Sequence, residues 1–142
     1  MPSSTTTETF IDTSGFYALL VQGDRWHSRA VAVLADAARR RSRFVTTDYV
    51  LDEAATLLKA RGHGRLLAAF FEAIDSSAAL TVEWTTSERF GEARALCLRH
   101  ADKAWSFTDC LSFVLMRALG LENALTSDAH FAQAGFRVLL VE

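Results

Sequence analysis

The sequence predicts an α/β fold, with a central, mainly parallel sheet flanked by helices on both faces. Three observations carry this. Short β-prone runs are separated by longer segments with apolar residues at helical spacing. A single proline, Pro2, and seven glycines are too few turn formers for a sandwich or barrel. Half of the residues are apolar and 11% are aromatic, enough to bury a sizeable core. A length of 142 residues suits one domain, expected at 9–142 behind a flexible polar tail at 1–8.

Thr9-Phe10-Ile11 is a β-prone run that stops at Asp12, and Thr13 to Val21 reads as a helix after it. His27 to Arg41 carries Ala30, Val31, Leu34, Ala37 and Ala38 at helical spacing, with Arg29, Asp36, Arg39 and Arg40 on the polar face. Phe44 to Thr47 is the next strand. Asp48 is the expected cap of a helix running to about Lys59, with Glu53 in its early turns. Arg61-Gly62-His63-Gly64 breaks the chain before an apolar helix at Arg65 to Asp75. Leu80 to Trp84 alternates as a strand, and Ser87 to Arg99 follows as a helix with Phe90, Ala93, Leu96 and Cys97 expected to face inward. Ser106 to Asp109 opens a further helix that Gly120 stops after Leu119. Asn123 to Thr126 reads as a short strand ending at Ser127-Asp128, and Phe136 to Val141 as the last strand. Strand and helix alternate from end to end, and such sheets bind ligands at the carboxyl ends of their strands.

Fifteen lysines and arginines against seventeen acids give a formal net charge of −2. That excludes a broadly basic nucleic-acid binder, so a phosphate-bearing partner must be held by local arginines or by bound metal. No run approaches the roughly 18 apolar residues of a membrane span, and the hydroxyl-rich start lacks the features of a signal peptide. The expected location is the cytoplasm, with no membrane partner. Cys97 and Cys110 have neither metal-ligand nor redox spacing and read as reduced core thiols.

Asp12 and Asp128 fall just past predicted strand ends, and Glu53 and Asp109 fall in the first turns of helices that start near the same sheet edge. Four carboxylates in one crevice need protons or cations, because a pair about 4 Å apart repels by about 4 kcal/mol at an effective dielectric of about 20. Oxygen ligands without an accompanying histidine or thiol favour Mg2+ or Mn2+. Ions held in this way activate water and bridge phosphate oxygens in phosphodiester cleavage. Each acid also has a local reading. Asp12 and Asp128 suit the caps of the helices that follow them, Ser106 with Asp109 fits a capping pattern, and the positive end of a helix stabilises Glu53.

Phe10-Ile11-Asp12-Thr13-Ser14, Asp52-Glu53-Ala54, Trp105-Ser106-Phe107-Thr108-Asp109-Cys110 and Thr126-Ser127-Asp128-Ala129-His130-Phe131 stand in an order and spacing that resemble the PIN-domain ribonucleases. The resemblance is in particular to the VapC-type toxins of bacterial toxin–antitoxin pairs, and it covers nearly the whole chain. It implies a PIN-like three-layer fold in which Asp12, Glu53, Asp109 and Asp128 bind Mg2+ or Mn2+ and activate water. The implied reaction is RNA hydrolysis leaving a 5′-phosphate and a 3′-hydroxyl. The resemblance also implies that the hydroxyls of Thr108, Ser14 and Ser106 assist metal or phosphate binding. It further implies a homodimer inhibited by an antitoxin whose C-terminal tail lies across the active site.

Arg39, Arg40, Arg41 and Arg43 form the densest basic run and are candidates for RNA-backbone contacts. Their other reading is a solvated helix end favoured by the helix dipole. Arg61, Arg65 and Lys103 are isolated cations of the same kind. Trp26, Trp84 and Trp105 are candidates to stack a base or to pack the core. None of His27, His63, His100 and His130 has the paired spacing of a zinc site on one helix, so none is assigned to metal. The rivals to a toxin nuclease are a PIN-domain nuclease of RNA processing without an antitoxin, a PIN-fold module that binds without cleaving, and a phosphoacceptor domain. The last wants a lysine near a late strand, where this chain has only Lys59 and Lys103 to offer.

Overall fold

In the computed structural model, which describes residues 8–142, the chain runs β1 (Glu8–Ile11), α1 (Thr13–Leu20), α2 (His27–Arg40), β2 (Arg43–Thr47) and α3 (Asp48–Ala60). A 3-10 turn (Gly64–Leu66), α4 (Leu67–Ser76), β3 (Leu80–Glu83), α5 (Ser87–Arg99) and α6 (Phe107–Leu119) follow. The chain closes with β4 (Asn123–Leu125), α7 (Ala129–Gln133) and β5 (Arg137–Val138). Glu8 belongs to β1 rather than to the expected tail, whose residues 1–7 lie outside the described residues.

The five strands form one sheet in the order β3-β2-β1-β4-β5, and every pairing is parallel. In register, Phe10 stands beside Val45 on one side and Ala124 on the other. The strand order reverses at β1, so the crevice past the ends of β1 and β4 is the topological switch point of the sheet. Successive residues of β1 point to opposite faces. Phe10 meets Phe131 of α7 at 6.2 Å, and Phe131 meets Phe113 of α6 at 4.9 Å, so these helices cover one face. Ile11 points toward α1 at Gly15, and Phe16 of α1 meets Phe70 of α4 at 5.5 Å on the other face. Phe10, Phe70, Phe113 and Phe131 are almost wholly buried, each contributing about 1.5–3 kcal/mol by leaving water. The result is the three-layer α/β arrangement expected of the sequence.

Several details differ from the sequence reading. Thr47, not Asp48, caps α3 by accepting from Val50 N at 3.1 Å, while the Asp48 carboxylate turns aside to accept from Thr85 N and Oγ1. The helix expected from Arg65 begins with the 3-10 turn. Phe90 is 38% exposed, because it lies over the start of α6 with its ring 4.8 Å from Phe107. The last strand shortens to Arg137–Val138, although Leu139 N and Leu140 N still donate to Ala124 O and Thr126 O. Trp105 packs in the core with its Nε1 donating to Gln133 Oε1, whereas Trp84 is exposed. Cys97 and Cys110 are free thiols, and burial beside Cys97 pushes the Cys110 thiol up to about 12.

Candidate active site

β1 and β4 end side by side, and just past them Asp12 N donates to Leu125 O at 3.2 Å. Gly15 permits this closeness. A Cβ at that position would overlap the Leu125 carbonyl oxygen, so glycine alone lets the first turn of α1 rest against the end of β4. The segments that carry Asp12 and Asp128 therefore leave the sheet into one crevice.

Thr126, wholly buried, is the hub of that crevice. Its Oγ1 donates to Asp12 Oδ2 at 2.9 Å and accepts from Asp128 N at 3.0 Å. With the Thr126 hydrogen committed to Asp12, Ser14 Oγ must donate to Thr126 Oγ1 at 2.9 Å, and it accepts from Ser127 N at 3.0 Å. Glu53 arrives from α3, its Oε1 accepting from Thr13 Oγ1 at 2.6 Å. Asp109 stands in the first turn of α6 within a capping box: its backbone N donates to Ser106 Oγ, and its Oδ2 accepts from Ser106 N. Asp128 caps α7 by accepting from His130 N at 2.9 Å. Capping and clustering thus coexist at Asp109 and Asp128. Asp12 makes no side-chain cap bond, although it stands at the N-cap of α1.

The four acids reach the same end of the sheet but fall into two adjoining groups. Asp12, Glu53 and Asp128 line a cavity of about 280 Å³ with Thr13, Ser14 and Arg61. Asp109 and Asp128 share a second group with His130, in which one donor atom from each lies within 4.8 Å of the others. His130 Nδ1 is 3.0 Å from Asp109 Oδ2 and 3.4 Å from Asp128 Oδ1. Burial pushes the Asp12 carboxyl up from 3.8 to about 7; the Thr13 and Thr126 bonds oppose this, and the charges of Asp109 and Glu53 add to it. Asp109 is raised as well, chiefly by burial and secondarily by the charge of Asp128, against the pull of its Ser106 and His130 bonds.

This donor set fits a hard divalent cation: carboxylate oxygens from several elements, orienting hydroxyls behind them and partial burial. His130 adds a ring nitrogen, which suits Mn2+ better than Mg2+. Histidine spacing along the sequence leaves His130 unassigned to metal, because it has no second histidine on its helix and instead meets acids brought in by other elements. Sequence spacing likewise gives no role to Thr126 or Thr13, whose places beside Asp128 and Asp12 were the available signal. Ser14 lines the cavity. Ser106 serves α6 as its cap, and Thr108 engages through its carbonyl, which accepts from Ser112 Oγ at 2.9 Å.

The basic run does not join the acids. Arg43 opens β2, which puts it at the amino edge of the sheet, whereas Asp12 stands past the carboxyl edge. Arg39 and Arg40 pair with Asp36 at 2.9 and 3.1 Å, and Arg41 is the left-handed cap of α2 with φ 55°.

Comparisons with known proteins agree with this geometry. A family model described as the PIN domain matches residues 9–137. The chain is 37% identical over 128 residues to the 23S rRNA-specific endonuclease VapC20 of two Mycobacterium tuberculosis strains, covering 89% of this chain and 94% of that protein. The crystal structure of Mycobacterium tuberculosis VapC20, described as a sarcin-ricin loop cleaving toxin, superposes with a TM-score of 0.81 at 34% identity. That match covers 90% of this chain and 95% of the other. PAE2754 from Pyrobaculum aerophilum shares the fold alone, with a TM-score of 0.63 at 15% identity over 96% of this chain and 93% of the other. The family match, the relatives and the acidic switch-point crevice agree: the chain belongs to the PIN-domain family.

Proposed function

We propose that this PIN-domain endoribonuclease is the toxin of a toxin–antitoxin pair and cuts 23S ribosomal RNA, using Mg2+ or Mn2+ held by Asp12, Glu53, Asp109 and Asp128. The observation that supports the reading best is the single buried hydroxyl of Thr126, bonded at once to the Asp12 carboxylate and to the backbone of Asp128. Helix caps acting independently have no need of such a link; a shared site does.

When bound, the divalent ion supplies Lewis-acid activation of water and stabilises charge developing on the scissile phosphate. The protein's own groups do the positioning. Thr126 and Thr13 hold the Asp12 and Glu53 carboxylates in fixed orientations. His130 and the Ser106 backbone fix Asp109. Asp12, whose carboxyl burial raises to about 7, would give up its proton in order to serve as a ligand. Since water rather than the ribose 2′-hydroxyl attacks phosphorus, the products carry a 5′-phosphate and a 3′-hydroxyl.

The substrate class rests on the VapC20 relatives, which act on 23S rRNA. The chain then works in the cytoplasm as a homodimer, with an antitoxin tail covering the cavity in the inhibited state. Ribosomes treated with the protein and Mn2+, followed by primer extension on all RNAs, should show one dominant cut in 23S rRNA. Cutting confined to transfer or messenger RNA would overturn the substrate, and a monomer by light scattering would overturn the dimer.

A further inference from the structure

We infer that Arg61 is the residue that grips the RNA backbone, holding a phosphate that flanks the scissile one. The inference rests on the nuclease reading above and adds the contact that reading lacks. The active cavity is lined by the carboxylates of Asp12, Asp24, Glu53 and Asp128, which repel a polyanion, and Arg61 is the one cation among its lining residues.

Its place is built into the fold. Arg61 caps the end of α3, where Gly62 takes a left-handed φ of 81° and His63 N donates to Leu58 O at 2.7 Å. Gly62 N donates to Lys59 O at 3.1 Å, completing a Schellman turn that fixes the direction in which Arg61 leaves the helix. The guanidinium lies over the ring of Tyr17, 5.0 Å from its centroid, and His63 packs edge-on against the same ring at 5.8 Å. Tyr17 also lines the cavity, so the stack presents Arg61 to it.

The donors of Arg61 are available. Among the described residues Arg61 has no ion-pair partner, whereas Arg25, Arg39, Arg40 and Arg89 each face a carboxylate. A guanidinium fork in that state suits bidentate contact with a phosphate. Its distance from the chemistry follows from the helix. Glu53, Leu57 and Arg61 all line the cavity, and their four-residue spacing makes one stripe along α3. Eight residues at 1.5 Å each separate the backbones of Glu53 and Arg61 by about 12 Å along the axis, a spacing that suits a phosphate next to the scissile one. The run from Arg39 to Arg43, at the other edge of the sheet, does not meet this strand of RNA.

The test is fluorescence anisotropy with a labelled RNA hairpin in chelator, at several salt concentrations, on wild type, Arg61→Ala, Arg61→Lys and Arg99→Ala. Arg99 lines a separate cavity with Arg117 and controls for charge. Arg61→Ala should weaken binding about tenfold and lower the salt slope by about 0.7, Arg61→Lys should recover part of the loss, and Arg99→Ala should match wild type. In cleavage assays Arg61→Ala should raise KM with kcat nearly unchanged. Unchanged affinity and slope in Arg61→Ala, an equal loss in Arg99→Ala, or a fall in kcat alone would overturn the assignment. Failure of wild type to cleave RNA with Mn2+ would instead sink the nuclease reading, while the binding arms would still report whether Arg61 touches RNA.

Discussion

Asp12 is the most deeply buried of the four acids, and its burial makes it sensitive to pH. Its carboxyl titrates at about 7 in the folded chain against 3.8 when exposed. A carboxyl raised in this way stabilises the fold while protonated; the contribution is whole below about 3.8 and is lost as pH rises through about 7. For the metal-free protein the loss is on the order of 4 kcal/mol. Asp12→Asn cannot ionise, so in chelator the Tm of the variant minus that of wild type should widen steadily between those pH values, as read by calorimetry. A difference that stays flat would mean that Asp12 is solvated. Asp109 separates its two roles by substitution. In chelator Asp109→Asn relieves repulsion with Asp128 while keeping an acceptor for Ser106 N, and should raise Tm by roughly 3 °C, about 1 kcal/mol. Asp109→Ala also loses the cap bond and should melt at or below wild type; a clear drop for Asp109→Asn would leave capping as its only role. The four acids were legible in the sequence because each stands at a strand end or helix start. His130 was not, since its meeting with Asp109 depends on how α7 packs against α6.

At the scale of elements, Gly15 decides whether the site can assemble. The Leu125 carbonyl oxygen occupies the space that a side chain would need, so Gly15→Ala must push α1 away from β4. The expected cost is about 1–3 kcal/mol of stability, together with a loosened Asp12–Thr126 bond and weaker binding of Mn2+ by isothermal titration. A variant as stable and as tight as wild type would show that the two elements have room to spare. The sequence placed most elements within a residue or two, because apolar spacing and the Ser106 start and Gly120 stop signals are local. It missed what depends on neighbours. Asp48 is drawn to Thr85, distant in sequence but just past the end of the neighbouring strand β3, and Phe90 is left exposed by the particular way α5 lies over the start of α6.

For the molecule as a whole, a parallel sheet that reverses its strand order at β1 gathers acids from β1, α3, α6 and the turn after β4 at one edge. The net charge of −2 is therefore unevenly used: carboxylates crowd the carboxyl edge, and the run from Arg39 to Arg43 lies at the other. Sequence spacing showed both clusters but not their separation, because the path of β2 puts them at opposite ends of the same strands. We propose that the acidic edge performs metal-dependent hydrolysis. Cleavage of a defined RNA by wild type and Asp12→Asn, with Mg2+, Mn2+ or chelator and with the termini of the products mapped, tests this. Wild type should cut only with the metal present and leave 5′-phosphate and 3′-hydroxyl ends, and Asp12→Asn should be at least a hundredfold slower, about 2.7 kcal/mol of barrier. Cleavage that persists in chelator and in Asp12→Asn, or products ending in a 2′,3′-cyclic phosphate, would contradict it.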